Sequence, residues 1–121
     1  MAMITLWHNP RCSKSRQTLG LIEQAKVDVT IRRYMDDAPT KAELSAASKA
    51  LGLRPIDMMR TGEAKFKELN LSKTSSNDDL LRAMAEFPVL IERPIAFKGT
   101  AAIIGRPPEA IKPLLAGGAS R

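Results

Sequence analysis

Residues 8–16 read His-Asn-Pro-Arg-Cys-Ser-Lys-Ser-Arg and hold the chain's single cysteine, Cys12, and its single histidine, His8. A thiol does useful chemistry as its thiolate, so its surroundings decide its role. Before this stretch, Met3-Ile-Thr-Leu-Trp7 alternates as a strand does, and after it Ser13 to Gln24 has the pattern of a helix. Cys12 therefore falls at the first turn of a helix. There the unpaired N–H groups and the positive end of the helix dipole favour a thiolate. Arg11, Lys14 and Arg16 add positive charge around it. The alternative is a small buried hydrophobe, which is how many free cysteines behave. Polar neighbours, a preceding loop with Pro10 and the flanking cations argue against it.

The elements that must position this stretch follow from the patterning. In the first strand Ile4 and Leu6 face one way, Thr5 and Trp7 the other. Leu19 and Ile22 lie three apart on one face of the following helix, with Leu21 beside them. Val27, Val29 and Ile31 alternate with polar residues in a second strand. Strand, helix and strand in so few residues require a parallel pair joined by a right-handed crossover. The pattern then turns helical. Thr40 with Glu43 forms a capping box for a helix ending at Gly52, and Pro55 opens a short helix. Phe66 and Leu69 share a face of another, and Ser76 with Asp79 starts a helix that Pro88 ends. Strand character resumes at Val89–Ile91. Ile95–Lys98 and Ala101–Ile104 then make a hairpin about Gly99. The last helix opens near Pro107, with a kink or late start at Pro113 and a loose tail from Gly117.

A chain of 121 residues suits one domain over 1–121, with an all-helical insertion at about 37–87. No apolar run approaches the ~20 residues needed to cross a bilayer. His8, Pro10 and Arg11 interrupt the N-terminal apolar stretch too early for a signal peptide, and a lone cysteine suits the cytoplasm. The formal net charge is +6, but the cations are dispersed, without a basic run or interleaved aromatics. Small anions are the expected ligands; no nucleic-acid or membrane partner is expected.

The order β-α-β, helical excursion, antiparallel hairpin and final helix is that of a thioredoxin-like α/β fold. Within it, His8-Asn9-Pro10-x-Cys12 with Ser15 three residues on resembles the glutaredoxin-linked arsenate reductase (ArsC) family. Glu92-Arg93-Pro94-Ile95 and Gly105-Arg106-Pro107-Pro108 are similar to two further family segments, and Arg60 falls where the family carries another arginine. The resemblance runs from about Met3 to Leu115. Departures are Ser13-Lys14 where the arsenic-resistance enzymes usually have Gly-Thr, and a short C-terminal end; the chain resembles the shorter branch of the family.

The resemblance implies a thiol-dependent oxidoreductase in which Cys12 attacks an oxyanion, arsenate or a similar one. It implies that Arg60, Arg93 and Arg106 hold that oxyanion, that His8 helps keep Cys12 ionised, and that Ser15 hydrogen-bonds the sulfur. Asn9 and Pro94 support the site, and the Arg93–Pro94 bond is expected to be cis. Glutathione would be the co-substrate and glutaredoxin the partner, with no metal or bound cofactor and a monomeric protein. The same family contains Spx-like regulators that bind RNA polymerase, the alternative reading. Many carry a Cys-x-x-Cys switch, and the second position here is Ser15.

Overall fold

The strand β1 (Met3–Trp7) lies inside a four-stranded sheet of order β2-β1-β3-β4, flanked by β2 (Asp28–Arg32) and by β3 (Ile95–Lys98), with β4 (Ala101–Ile104) beyond β3. In this computed structural model, which describes residues 3–119, β1 pairs parallel with β2 and antiparallel with β3. The parallel pair requires a crossover, supplied by α1 (Ser13–Gln24). Ile4 and Leu6 are fully buried on one face of β1 and meet Ile22 of α1, Ala96 of β3, Ile111 and Leu114. Burying such a side chain contributes about 1.5–3 kcal/mol. Thr5 and Trp7 occupy the opposite face, where Trp7 packs on Phe97 with ring centroids 4.7 Å apart. Gly99 turns the β3–β4 hairpin with φ +60°, a conformation glycine adopts without steric cost.

These elements, residues up to Tyr34 and from Arg93 onward, form one compact unit; Met35–Glu92 form a second. The second is helical, and local signals delimit it. Thr40 caps α2 (Lys41–Leu51) with both arms of a capping box, and Gly52 closes it with φ +69°. Pro55–Met58 form a 3₁₀ turn and α3 is Ala64–Glu68. Ser76 accepts from the Asp79 N–H at the start of α4 (Asn77–Glu86). Leu44, Met58, Leu80, Met84, Leu90 and Ile91 are buried there.

Two expectations need correction. Residues 89–91 are not a strand: Pro88–Leu90 form a 3₁₀ turn, and only Ile91 makes an isolated bridge, to Met59. Pro88 fixes its own backbone in a helix-compatible conformation, which carries Val89 and Leu90 into the turn. The final helix does start late, after a 3₁₀ turn at Pro108–Ile111, but α5 (Lys112–Ala119) continues through Gly117 and Gly118. The rest of the expected tail, residues 120–121, lies outside the described residues.

Candidate active site

Cys12 is the N-cap of α1, with extended backbone at φ −96°, ψ 124°. Its carbonyl accepts the Arg16 N–H at 3.0 Å, the first helical bond. No side chain caps this end and no acidic residue stands in its first turn. The preceding loop is folded by Asn9, whose carbonyl accepts the Cys12 N–H and whose Oδ1 accepts the Arg11 N–H, both at 3.0 Å. Arg16 Nη1 donates to the Pro10 carbonyl at 2.9 Å and ties loop to helix. Cys12 itself is half-buried and makes no disulfide.

Behind the loop, His8 and Ser15 are buried. His8 Nδ1 lies 2.7 Å from Ser15 Oγ, which also accepts the Asn9 N–H at 3.0 Å. Burial, then the positive charges of Arg33 and Arg16, hold the His8 pKa below its usual 6.5. The ring is therefore neutral at pH 7. With the proton on Nδ1, Ser15 Oγ accepts twice and its own O–H remains available; with Nδ1 bare, that O–H is spent on His8.

The sheet register places two of the three expected arginines. Trp7, at the end of β1, pairs with Ile95, which pairs in turn with Ile104. Arg93 precedes β3 and Arg106 follows β4, so both stand at the sheet end from which the Cys12 loop departs. Arg106 Nη1 donates to the Arg93 carbonyl at 3.4 Å, and the Gly105 N–H donates to the Pro94 carbonyl at 2.9 Å. The Arg93–Pro94 bond is cis, as expected, and Arg106–Pro107 is cis as well. Arg93 is half-buried and Arg106 exposed. Arg60 belongs to the helical unit. There Glu63 holds its Nη1 at 2.7 Å and Glu92 lies 3.9 Å from its Nε.

Three features of the site were not legible as functional in the sequence. A Cβ on Gly105 would fall 2.7 Å from Thr18 Oγ1 and 3.0 Å from Pro94 Cγ, so this residue must be glycine for the Arg106 loop to seat on α1. Thr18 is fully buried and donates to the Lys14 carbonyl. Arg33 acts on His8 from the end of β2, held there by the His8 N–H donating to the Arg32 carbonyl at 2.8 Å. Only the parallel register, Trp7 opposite Arg32, reveals that proximity. Among the described residues, no group of three or more His, Cys, Asp or Glu could hold a metal, and no helix is long and apolar enough to cross a membrane.

A half-buried thiol at the N-terminus of the first helix of a β-α-β unit, at the sheet end where an antiparallel strand begins, defines a thioredoxin-like thiol protein. The ArsC family model matches residues 7–114, and the chain belongs to the ArsC family, as an ArsC-type thiol oxidoreductase. An arsenate reductase of Neisseria meningitidis is 42% identical over 117 residues, covering 95% of this chain and 100% of the relative. An arsenate reductase of Escherichia coli is 33% identical over 116 residues, covering 95% of this chain and 82% of the relative. The solved arsenate reductase from Vibrio cholerae superposes with a TM-score of 0.89 at 42% identity, over 93% of this chain and 98% of that one.

Proposed function

We propose that this chain reduces arsenate, or a closely similar oxyanion, with glutathione and glutaredoxin as the source of electrons. The observation that carries the reading is the sheet register, which sets Arg93 and Arg106 at the end where the Cys12 loop begins. Arsenate is a small, highly charged tetrahedral anion, and a thiolate can approach it only where cations offset the repulsion. Guanidinium forks suit its oxygens better than ammonium groups do.

In this mechanism the Cys12 thiolate attacks arsenic, and one arsenic–oxygen bond breaks, its oxygen leaving protonated as water. Arg93 and Arg106 hold the remaining oxygens, with Arg60 the third arginine by family likeness. Neutral His8 carries its proton on Nδ1, so that the Ser15 O–H is free to donate to the Cys12 sulfur. Glutathione then displaces a second oxygen from arsenic. A glutaredoxin thiolate takes the glutathione sulfur as a mixed disulfide, and the bonding electron pair stays on arsenic, reducing As(V) to As(III). Water releases arsenite and returns Cys12 as the thiol. Asn9 and Pro94 shape the loop and the β3 start; the protein works as a monomer in the cytoplasm.

The test is arsenate turnover with glutathione and glutaredoxin, run beside Cys12→Ser. Turnover in the wild type and none in the variant is expected. No turnover with any thiol donor would overturn the reading and leave the polymerase-binding regulator as the better one.

A further inference from the structure

The sheet order β2-β1-β3-β4 leaves β2 at one edge, beside β1 alone. The direction of its backbone groups follows from a single bond. The His8 N–H donates to the Arg32 carbonyl at 2.8 Å, so Arg32 turns its backbone groups toward β1. Backbone groups alternate sides along a strand. Thr30 and Asp28 therefore also face β1, while Val29 and Ile31 present their N–H and C=O groups outward. An open edge of this kind invites a further strand, and proteins commonly guard it with proline, lysine, a bulge or an inward-pointing charge. Within β2 there is none of these. It reads Asp-Val-Thr-Ile-Arg, and its register with β1 runs unbroken from Met3–Asp28 to Trp7–Arg32. Asp28, Thr30 and Ile31 are exposed, Ile31 by 44% although it shares a sheet face with the buried Ile4 and Leu6.

The strand that fits this edge is a second copy of itself. Laid antiparallel about a two-fold axis at Thr30, Val29 of one copy falls opposite Ile31 of the other. These residues carry the outward backbone groups, so they form the hydrogen-bonded pairs, and their side chains continue the apolar face across the join. Thr30 then meets Thr30, and Asp28 meets Arg32, in the pairs where side chains come closest and opposite charges attract. A slip of two residues either way would set Asp28 or Arg32 against Thr30 and lose both charge pairs. Asp28 has no ion pair among the described residues. Arg32 holds its guanidinium 5.8 Å from the Trp7 ring centroid, and its fork of several donors serves more than one acceptor. The other sheet edge, β4, reads Ala-Ala-Ile-Ile and offers no charge pair.

We propose that β2 pairs antiparallel with β2 of a second copy of this chain, joining two four-stranded sheets into one of eight strands. A strand of five residues buries little surface, so the pair is weak and forms as concentration rises, with a Kd on the order of 0.1–1 mM. The two-fold axis turns the two β1 strands in opposite directions, so each copy keeps its own Cys12 end. The single chain therefore remains the working unit. The pairing goes beyond the chemistry at Cys12 and does not depend on it.

The experiment places a lone cysteine on β2 in a Cys12→Ser chain. In Thr30→Cys the two sulfurs meet across the axis at a Cα separation of about 4.5 Å, which suits a disulfide. In Asp28→Cys the two thiols stand roughly 13 Å apart along the strands, out of disulfide reach. Diamide is the oxidant and takes up the electrons and protons that the thiols lose. Each cross-linking rate is divided by that variant's alkylation rate with iodoacetamide, which removes differences in thiol reactivity. Thr30→Cys should cross-link about tenfold faster than Asp28→Cys, or more. Ile31→Lys puts a charge on the apolar side of the join, and Asp28→Arg sets like charges against Arg32 of the second copy. Added singly, each should bring the Thr30→Cys rate down to that of Asp28→Cys. In sedimentation equilibrium with reductant, the wild type should gain mass toward a dimer as its concentration rises to about 1 mM, and Ile31→Lys should not. Equal normalised rates at positions 28 and 30 would overturn the pairing. So would a Thr30→Cys rate unchanged by either edge variant, or a wild-type monomer mass at every concentration.

Discussion

The N-termini of α1 and of the two longer helices of the helical unit, α2 and α4, are built in opposite ways. In the helical unit α2 begins with a full capping box at Thr40, and α4 with the Ser76 hydroxyl and acidic residues in its first turn. Every such device satisfies orphan N–H groups and opposes the dipole, stabilising the helix by about 1 kcal/mol. In the sheet unit α1 begins with Cys12 and has neither a side-chain cap nor an acidic residue in its first turn. That helix is held instead by packing, through Ile22 and the β1–β3 core. The end left uncapped is the end that carries the thiol. Stability and reactivity thus make opposite demands on the same backbone groups, and the two units answer one each.

This contrast can be broken from the sheet side first. Arg93→Ala and Arg106→Ala should each lower turnover by about 10²–10³-fold, the usual loss when one donor to developing negative charge is removed. Iodoacetamide should still alkylate Cys12 in both, which separates loss of the anion site from loss of the thiol. Lysine at either position should rescue poorly, because it cannot present two parallel donors. Arg60→Ala should cost less, since Glu63 and Glu92 already share its guanidinium. Equal losses at all three arginines would contradict that ranking.

Gly105→Ala comes next. The added methyl meets Thr18 Oγ1 and Pro94 Cγ, and overpacking of this kind costs about 1–3 kcal/mol. The denaturation midpoint should fall and turnover fall with it; Thr18→Ala in the same chain, which removes the closest obstruction, should restore part of both. From the helical side, Thr40→Ala should destabilise by about 1 kcal/mol in urea unfolding while turnover under native conditions stays near wild type. A large loss of turnover there would mean that the division of labour between the units is wrong.

The smallest effect concerns pH. The folded state lowers the His8 pKa, so the unfolded state binds that proton more readily and stability rises with pH across the window. The contribution is complete above the unfolded value of about 6.5 and is lost as pH falls below it. His8→Gln should flatten the stability profile below about pH 6.5. The exposed Asp78 runs the same way at lower pH, because Lys41 lowers its pKa below 3.8.

What the sequence made legible was what local chemistry decides. Thr40 with Glu43, Gly52, Ser76 and Pro88 bound their helices where expected, because each signal acts within four residues of its effect. The strand pattern around Trp7 and the hairpin at Gly99 were legible through alternation and turn chemistry. Residues 89–91 misled because a short apolar run fits a strand or a buried turn equally well. The site was legible in its residue types but not in its contacts. That Gly105 must clear Thr18, and that Arg33 bears on His8, follows from the α1 packing and the β1–β2 register, which join residues far apart in the chain.

The central claim is that Cys12 shares a site with an oxyanion held by Arg93 and Arg106. It is tested most directly by the rate at which iodoacetamide alkylates Cys12 as arsenate is added without any thiol donor. Saturable protection in the wild type, reproduced by phosphate and lost in Arg93→Ala and Arg106→Ala, is the result expected. An alkylation rate indifferent to arsenate, or protection that persists in both variants, would contradict it.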